Sequence, residues 1–230
     1  HVYVEKPLAL TEDELNDVAR AWETANTVLM VGLNRRFSNA ISTCKKELQK
    51  ASGPTIVNYL VNAGKYPEDH WAYDPKEGGG RIIGECVHFF DVMNYIAESK
   101  VAVISAQSID SNSKATRSED NIVVTLKYEN GSLGSLMYTS IGNSSYPKET
   151  IHVERSGIAV DINDFQSIAV YSKEKSSNKS RRQDKGHAAE LDSFFEAIKN
   201  GQMCIHMDDI LEAHRVAYDV NKKIKGSLYE

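Results

Sequence analysis

Cysteine is scarce in this 230-residue sequence: Cys44, Cys86 and Cys204 are odd in number and far apart. Such a set excludes a disulfide framework and a CxxC metal motif. No run of 18 apolar residues occurs, so no membrane-spanning helix is expected. The opening HVYVEKPLAL is too short and too charged to read as a secretory leader. Basic residues are in deficit, 27 Lys and Arg against 32 Asp and Glu, for a net charge of −5. That balance argues against a general affinity for nucleic acid or anionic membranes. No internal repeat, G-x-G-x-x-G loop or G-x-S-x-G elbow is present. Gly78, Gly80 and Gly84 imitate a dinucleotide fingerprint, but Asp74-Pro75-Lys76-Glu77 precedes them where a buried strand is required. His206 and His214 lack a third ligand at metal spacing, so no metal site is expected. With 41% hydrophobic and 26% charged residues, a soluble, cytoplasmic globular protein is the expectation.

The apolar pattern divides the chain. Residues 2–4 (VYV) read as a strand. Thr11-Glu12-Asp13-Glu14 is a capping box, and Leu15, Val18, Ala19, Trp22 and Ala25 follow at helical spacing. Val28–Leu33 reads as a buried strand. Strand, helix and strand make one parallel βαβ unit, which alone buries little and looks like the last piece of a doubly wound sheet. The chain also opens at His1, without Met, in what reads as the middle of an element, so a fragment is expected. From residue 37 the pattern changes. Helices are expected over 37–50, 82–97, 187–199 and 207–225. Strands are expected over 56–63, 101–109, 121–128, 132–141, 149–155, 158–162 and 167–171. Glu129-Asn130-Gly131-Ser132 signals a hairpin with a type I′ turn. Ser172–Gly186 holds almost nothing apolar and reads as an exposed, mobile loop. The expected fold class is α+β: a large, mainly antiparallel open sheet with helices on one face, preceded by the last βαβ unit of a Rossmann-type α/β domain. The expected domains are 1–36 and 37–230.

Three places carry candidate chemistry. Lys6, in Glu5-Lys6-Pro7, stands at a strand carboxyl end, where open α/β sheets bind ligands; it could donate to a substrate oxygen, or be an ordinary surface pair with Glu5. In Gly78–Ile96 (GGGRIIGECVHFFDVMNYI), Glu85, His88, Asp91 and Asn94 form a polar stripe on an otherwise apolar helix. Buried ionisable groups need partners, water or a cavity, so the stripe marks either a site or a structural network. A histidine beside carboxylates suits a general base. Asn34-Arg35-Arg36-Phe37 follows the second strand and could reach a cofactor, or be a basic loop. Trp71 and His187 are weaker candidates.

Together these segments resemble the glucose–fructose oxidoreductase/inositol dehydrogenase (Gfo/Idh/MocA) family. The resemblance rests on residues 1–37, on the glycine–histidine helix and on the closing HAAELDSFFEAIKNG…DDILEAHRVAYDVNKKI. It implies an NAD- or NADP-dependent oxidoreductase acting on a secondary alcohol of a sugar, cyclitol or nucleotide sugar. By carry-over, Lys6 positions substrate, His88 takes the hydroxyl proton, and Asp91, Trp71 and His187 contact substrate. Glu5, Lys6, Asn34 and Arg35 border the cofactor. The family's acid four residues before the histidine is Gly84 here, and its role passes to Glu85. The resemblance further implies a homo-oligomer through the open sheet face. The glycine loop that anchors the pyrophosphate is absent from the sequence, so the chain alone should be inactive. The alternatives are a non-catalytic sugar-binding or oligomerisation module, and NAD-assisted glycoside cleavage.

Overall fold

The computed structural model describes residues 1–111 and 116–227. Strands β1 (Val2–Val4) and β2 (Leu29–Val31) pair in parallel, joined by helix α1 (Glu12–Glu23). The capping box forms as expected: Thr11 Oγ1 accepts from the Glu14 amide, and the Glu14 carboxylate accepts from the Thr11 amide. The second unit is an eight-stranded sheet. Its strands are β3 (Ile56–Asn62), β4 (Val101–Ser108), β5 (Ile122–Tyr128), β6 (Leu133–Thr139), β7 (Glu149–Arg155), β8 (Ile158–Asn163), β9 (Ser167–Tyr171) and β10 (Lys175–Lys179). The order is β10-β9-β8-β7-β3-β6-β5-β4, antiparallel except for β3 beside β6.

Alternation sets the two faces. In β5, Ile122, Val124, Leu126 and Tyr128 are buried, while Val123, Thr125 and Lys127 point outward. Helices α2 (Asn39–Leu48), α3 (Val87–Ala97) and α5 (Met207–Ser227) cover the inner face, and α4 (His187–Asn200) packs against the turn that carries residues 34–37. The outer face is bare, with Ile56, Val103, Val123, Leu133 and Met137 exposed. One continuous core joins β2 to the inner face of the large sheet.

Four expectations need correction. Helix 37–50 is a 3₁₀ turn (Asn34–Phe37) followed by α2, because the Ser38 side chain caps the Ile41 amide and restarts the helix. Helix 82–97 is a wide π turn (Ile82–Cys86) leading into α3. The Asn130-Gly131 hairpin forms, but only Gly131 has positive φ (88°). The Gly131 amide bonds the Tyr128 carbonyl, and the Asn130 side chain binds the Ser132 amide and the Ala97 carbonyl, so Asn130 serves as an anchor. The polar stretch 172–186 contains strand β10, antiparallel to β9 and exposed throughout. An edge strand needs only backbone pairing, and its lysines suit an edge.

Candidate active site

The site lies where the ends of β1 and β2 meet the start of α3. Lys6 follows β1, and its Nζ donates to the Gly84 carbonyl at 2.7 Å, inside the π turn. π turns recur at functional sites because they offset the backbone from the regular helical ladder. The preceding glycines are structural rather than loose. A Cβ on Gly78 would stand 2.3 Å from the Ala72 Cα, and Gly79 and Gly80 adopt φ of 68° and 87°. The Lys6 segment is clamped from α5: the Leu8 amide donates to His214 Nε2 at 2.8 Å, and the Tyr218 hydroxyl donates to the Ala9 carbonyl at 2.8 Å. His214 Nδ1 donates in turn to the Ile210 carbonyl at 2.7 Å, and burial pushes this imidazole down to about 4, keeping it neutral.

His88 opens α3 and is buried, and its Nδ1 has no hydrogen-bond partner. Burial holds its pKa well below the usual value, and Arg35, Lys6, Lys185 and His187 press it further down. The ring is therefore neutral and able to accept a proton. Burial also lowers Lys6, with Glu85 opposing. Glu85 accepts from Arg81 Nε at 3.2 Å and from the Tyr138 hydroxyl at 2.9 Å. Burial pushes this carboxyl up, but Arg81, Tyr66, Tyr138 and Lys6 outweigh it and hold it below its ordinary value. Glu85 is thus a fixed anion. Lys6 and Glu85 act on each other electrostatically, as do Lys6 and His88, an approach that residue spacing alone does not predict.

Other expected site residues are engaged elsewhere. Arg35 does not border an open strand end: it is buried and forked onto Glu149 (Nε–Oε2 2.7 Å, Nη2–Oε1 3.0 Å), over the Phe89 ring. Asn34 Nδ2 donates to the Lys185 carbonyl at 2.8 Å and lies 3.2 Å from His187 Nε2. Asp91 is expected to contact substrate, but its carboxylate is already taken by a partner. It is fully buried and gripped by Arg36, whose guanidinium also reaches Asp209 at 3.3 Å. The three-residue spacing of the stripe could not show which member Arg36 would claim. Trp71 is 62% exposed and ends a ladder of rings, Trp71 to His70 to Tyr66, that leads inward to Arg81. His187 is exposed at the start of α4 beside Asn34. Glu5 lies against the end of β2, its carboxylate 2.7 Å from where a Cβ on Gly32 would stand.

Glu149 is the main residue the sequence reading missed. It binds Arg35, the Tyr59 hydroxyl at 2.6 Å and Lys185 Nζ at 2.5 Å. Burial alone would raise this carboxyl, but Arg35 and Lys185 bring it down to about 2. A signal existed: Glu149 is in phase with buried Ile151 and Val153, so its side chain had to point inward.

The fold, a short parallel strand pair joined to a large and mainly antiparallel sheet, has counterparts among known proteins. Residues 54–224 match the model of the oxidoreductase family C-terminal alpha/beta domain of the Gfo/Idh/MocA proteins. The chain is 28% identical over 163 residues to the scyllo-inositol 2-dehydrogenase (NADP+) IolW of Bacillus subtilis, covering 66% of this chain and 42% of IolW. It is 22% identical over 214 residues to a myo-inositol 2-dehydrogenase of Thermotoga maritima, covering 88% and 63%. The fold superposes on the aldose-aldose oxidoreductase of Caulobacter crescentus with a TM-score of 0.83 at 20% identity, covering 99% of this chain and 70% of that one. The chain thus spans between 42% and 63% of these two curated relatives. With three quarters of its length matched to one family model, the chain belongs to the Gfo/Idh/MocA oxidoreductase family.

Proposed function

We propose that this chain forms the substrate half of an NAD(P)-dependent dehydrogenase that oxidises a secondary alcohol of a sugar or cyclitol, with His88 as the proton acceptor. The observation that carries this reading is the buried His88 imidazole, neutral and unpartnered at Nδ1, one turn beyond the Gly84 carbonyl that holds the Lys6 ammonium. The names of the relatives, an inositol dehydrogenase using NADP+ among them, support the same class.

The fit to a nicotinamide dinucleotide is partial. Glu5 and Lys6, at the carboxyl end of β1, suit the nicotinamide end. The sequence holds no glycine loop of the kind that cradles the pyrophosphate. When bound, the dinucleotide accepts the hydride. The side chains do the rest. Lys6 donates a hydrogen bond to the alcohol oxygen and stabilises the negative charge that grows there as the hydride departs. His88 takes the hydroxyl proton. Lys6, Arg35 and Lys185 make the resulting imidazolium costly, so the ring releases its proton readily. Glu85 balances the Lys6 charge and fixes the polar wall. The outer face of the large sheet, where Ile56 pairs with Leu133 and Val123 with Met137 as exposed apolar neighbours, is where we place self-association.

The test is reduction of NAD+ and NADP+ by the full-length gene product over a panel of aldoses, inositols and glycosides. The expected result is turnover with at least one polyol. No turnover across the panel with either cofactor would overturn the dehydrogenase reading, and would favour a sugar-binding module.

A further inference from the structure

Arg81 stands just before the π turn and is 1% exposed. A guanidinium buried so deeply is costly unless it is paired. It lies over the Tyr66 ring at 4.1 Å and the Tyr138 ring at 5.1 Å, and its Nη1 donates to the Gly64 carbonyl at 2.7 Å, with Asp120 at 3.8 Å. Its Nε donates to Glu85 Oε1 at 3.2 Å. The other carboxylate oxygen, Oε2, accepts from the Tyr138 hydroxyl at 2.9 Å, and Tyr66 also hydrogen-bonds Glu85. Both oxygens of Glu85 are therefore tethered.

Lys6 is held differently. Among the described residues its Nζ has one hydrogen-bond partner, the Gly84 carbonyl at 2.7 Å, and no ion pair. An ammonium carries three donors, so two are left over. Glu85 follows Gly84 directly. Peptide planarity sets the Gly84 oxygen about 2.8 Å from the Glu85 Cα, so Nζ lies within about 5.5 Å of that Cα. A glutamate side chain spans such a gap. Of the charges acting on Lys6, Glu85 is the strongest, ahead of Arg35, Glu5 and Cys86. Lys6 and Glu85 nevertheless make no ion pair, because the carboxylate is committed to Arg81 and Tyr138.

We propose that Arg81 is a positioning residue, which with Tyr138 restrains the Glu85 carboxylate from closing onto Lys6 and so leaves the ammonium donors free for the substrate oxygen. The restrained carboxylate still favours the charged form of Lys6 from a distance, without taking its protons. Once Arg81 is removed, Glu85 turns to Lys6 and pairs with it. The inference rests on the reading of Lys6 as the donor to the alcohol oxygen.

The test reads Lys6 itself, without turnover. Trace labelling of the full-length protein with acetic anhydride at pH 8, followed by mass spectrometry of the Lys6 peptide, gives the reactivity of the amine. Arg81→Met should slow acetylation of Lys6 about tenfold, because a direct ion pair with Glu85 favours the protonated amine. Adding Glu85→Gln to Arg81→Met should restore at least the parent rate, since no carboxylate is left to capture the ammonium. Should Arg81→Met fail to fold by circular dichroism, Tyr138→Phe takes its place, with a slowing of about threefold that Glu85→Gln again reverses. Acetylation that is unchanged or faster in the single variant, or slowed equally with and without Glu85→Gln, would overturn the restraint. In the oxidation assay, kcat should fall in the single variant with KM nearly unchanged, and recover in part in the double. Labelling that follows this pattern while turnover does not would refute the role of Lys6 in the reaction and leave the restraint standing.

Discussion

Replacing Glu149 by Gln removes the charge on which Arg35, Lys185 and Tyr59 converge. Two routes give the magnitude. Its folded pKa falls from 4.5 to about 2, and at about 1.36 kcal/mol per unit that is roughly 3 kcal/mol. Breaking a buried pair by removing one partner costs about 3–5 kcal/mol. The expected loss is therefore about 3–4 kcal/mol in urea unfolding at pH 7. The pH dependence supplies a second signature. The folded pKa is depressed, so this stabilisation is complete above the unfolded value near 4.5 and fades as pH falls through about 2. The variant should lack that share of the acid limb. Replacing Arg35 by Met in the same chain should recover part of the loss, since an uncompensated buried guanidinium is the main penalty. A loss under about 1 kcal/mol, with an unchanged acid limb, would refute the reasoning.

Glu190 is expected to act in the opposite sense. Burial raises it to about 7 beside Tyr3, whose hydroxyl donates to it at 2.8 Å, so its stabilisation is present below pH 4.5 and is lost as pH rises through 7. At roughly 1.36 kcal/mol per unit this is about 3 kcal/mol, and denaturation of Glu190→Gln should lack that slope. His214→Leu should leave the Leu8 amide unpaired and cost about 1–3 kcal/mol, with kcat falling more than KM rises because Lys6 loses its register. Gly186→Ala should lower the melting temperature far more than Gly201→Ala. Both have positive φ, but only at Gly186 would the Cβ meet backbone, 2.3 Å from the Asn34 oxygen, whereas nothing lies within 4 Å at Gly201. Equal shifts for the two would contradict the close approach of α4 to the 34–38 turn.

Much of this architecture was legible because its elements announce themselves through side chains. The capping box at Thr11 and Glu14 and the alternation of β5, β7 and β8 follow directly from residue pattern. Strand β10 was not legible, because its formation rests on the open edge of β9 and on no apolar residue of its own. The π turn was hidden too: nothing in the composition of Ile82–Cys86 separates it from an ordinary helical turn. At the site, Lys6 and His88 could be nominated as candidates from local sequence together with the family resemblance. The fates of Asp91 and Arg35 could not, since their partners Arg36 and Glu149 lie 55 and 114 residues away. Glu190, likewise, faces Tyr3 across 187 residues.

The central claim is that His88 accepts the substrate proton. The most direct measurement is the pH profile of kcat/KM for the full-length protein, parent against His88→Ala, on the best polyol from the panel. The account predicts a loss of at least about 100-fold, together with disappearance of the basic-form limb that the imidazole contributes. A variant that keeps near-parent rates and the same limb would contradict it.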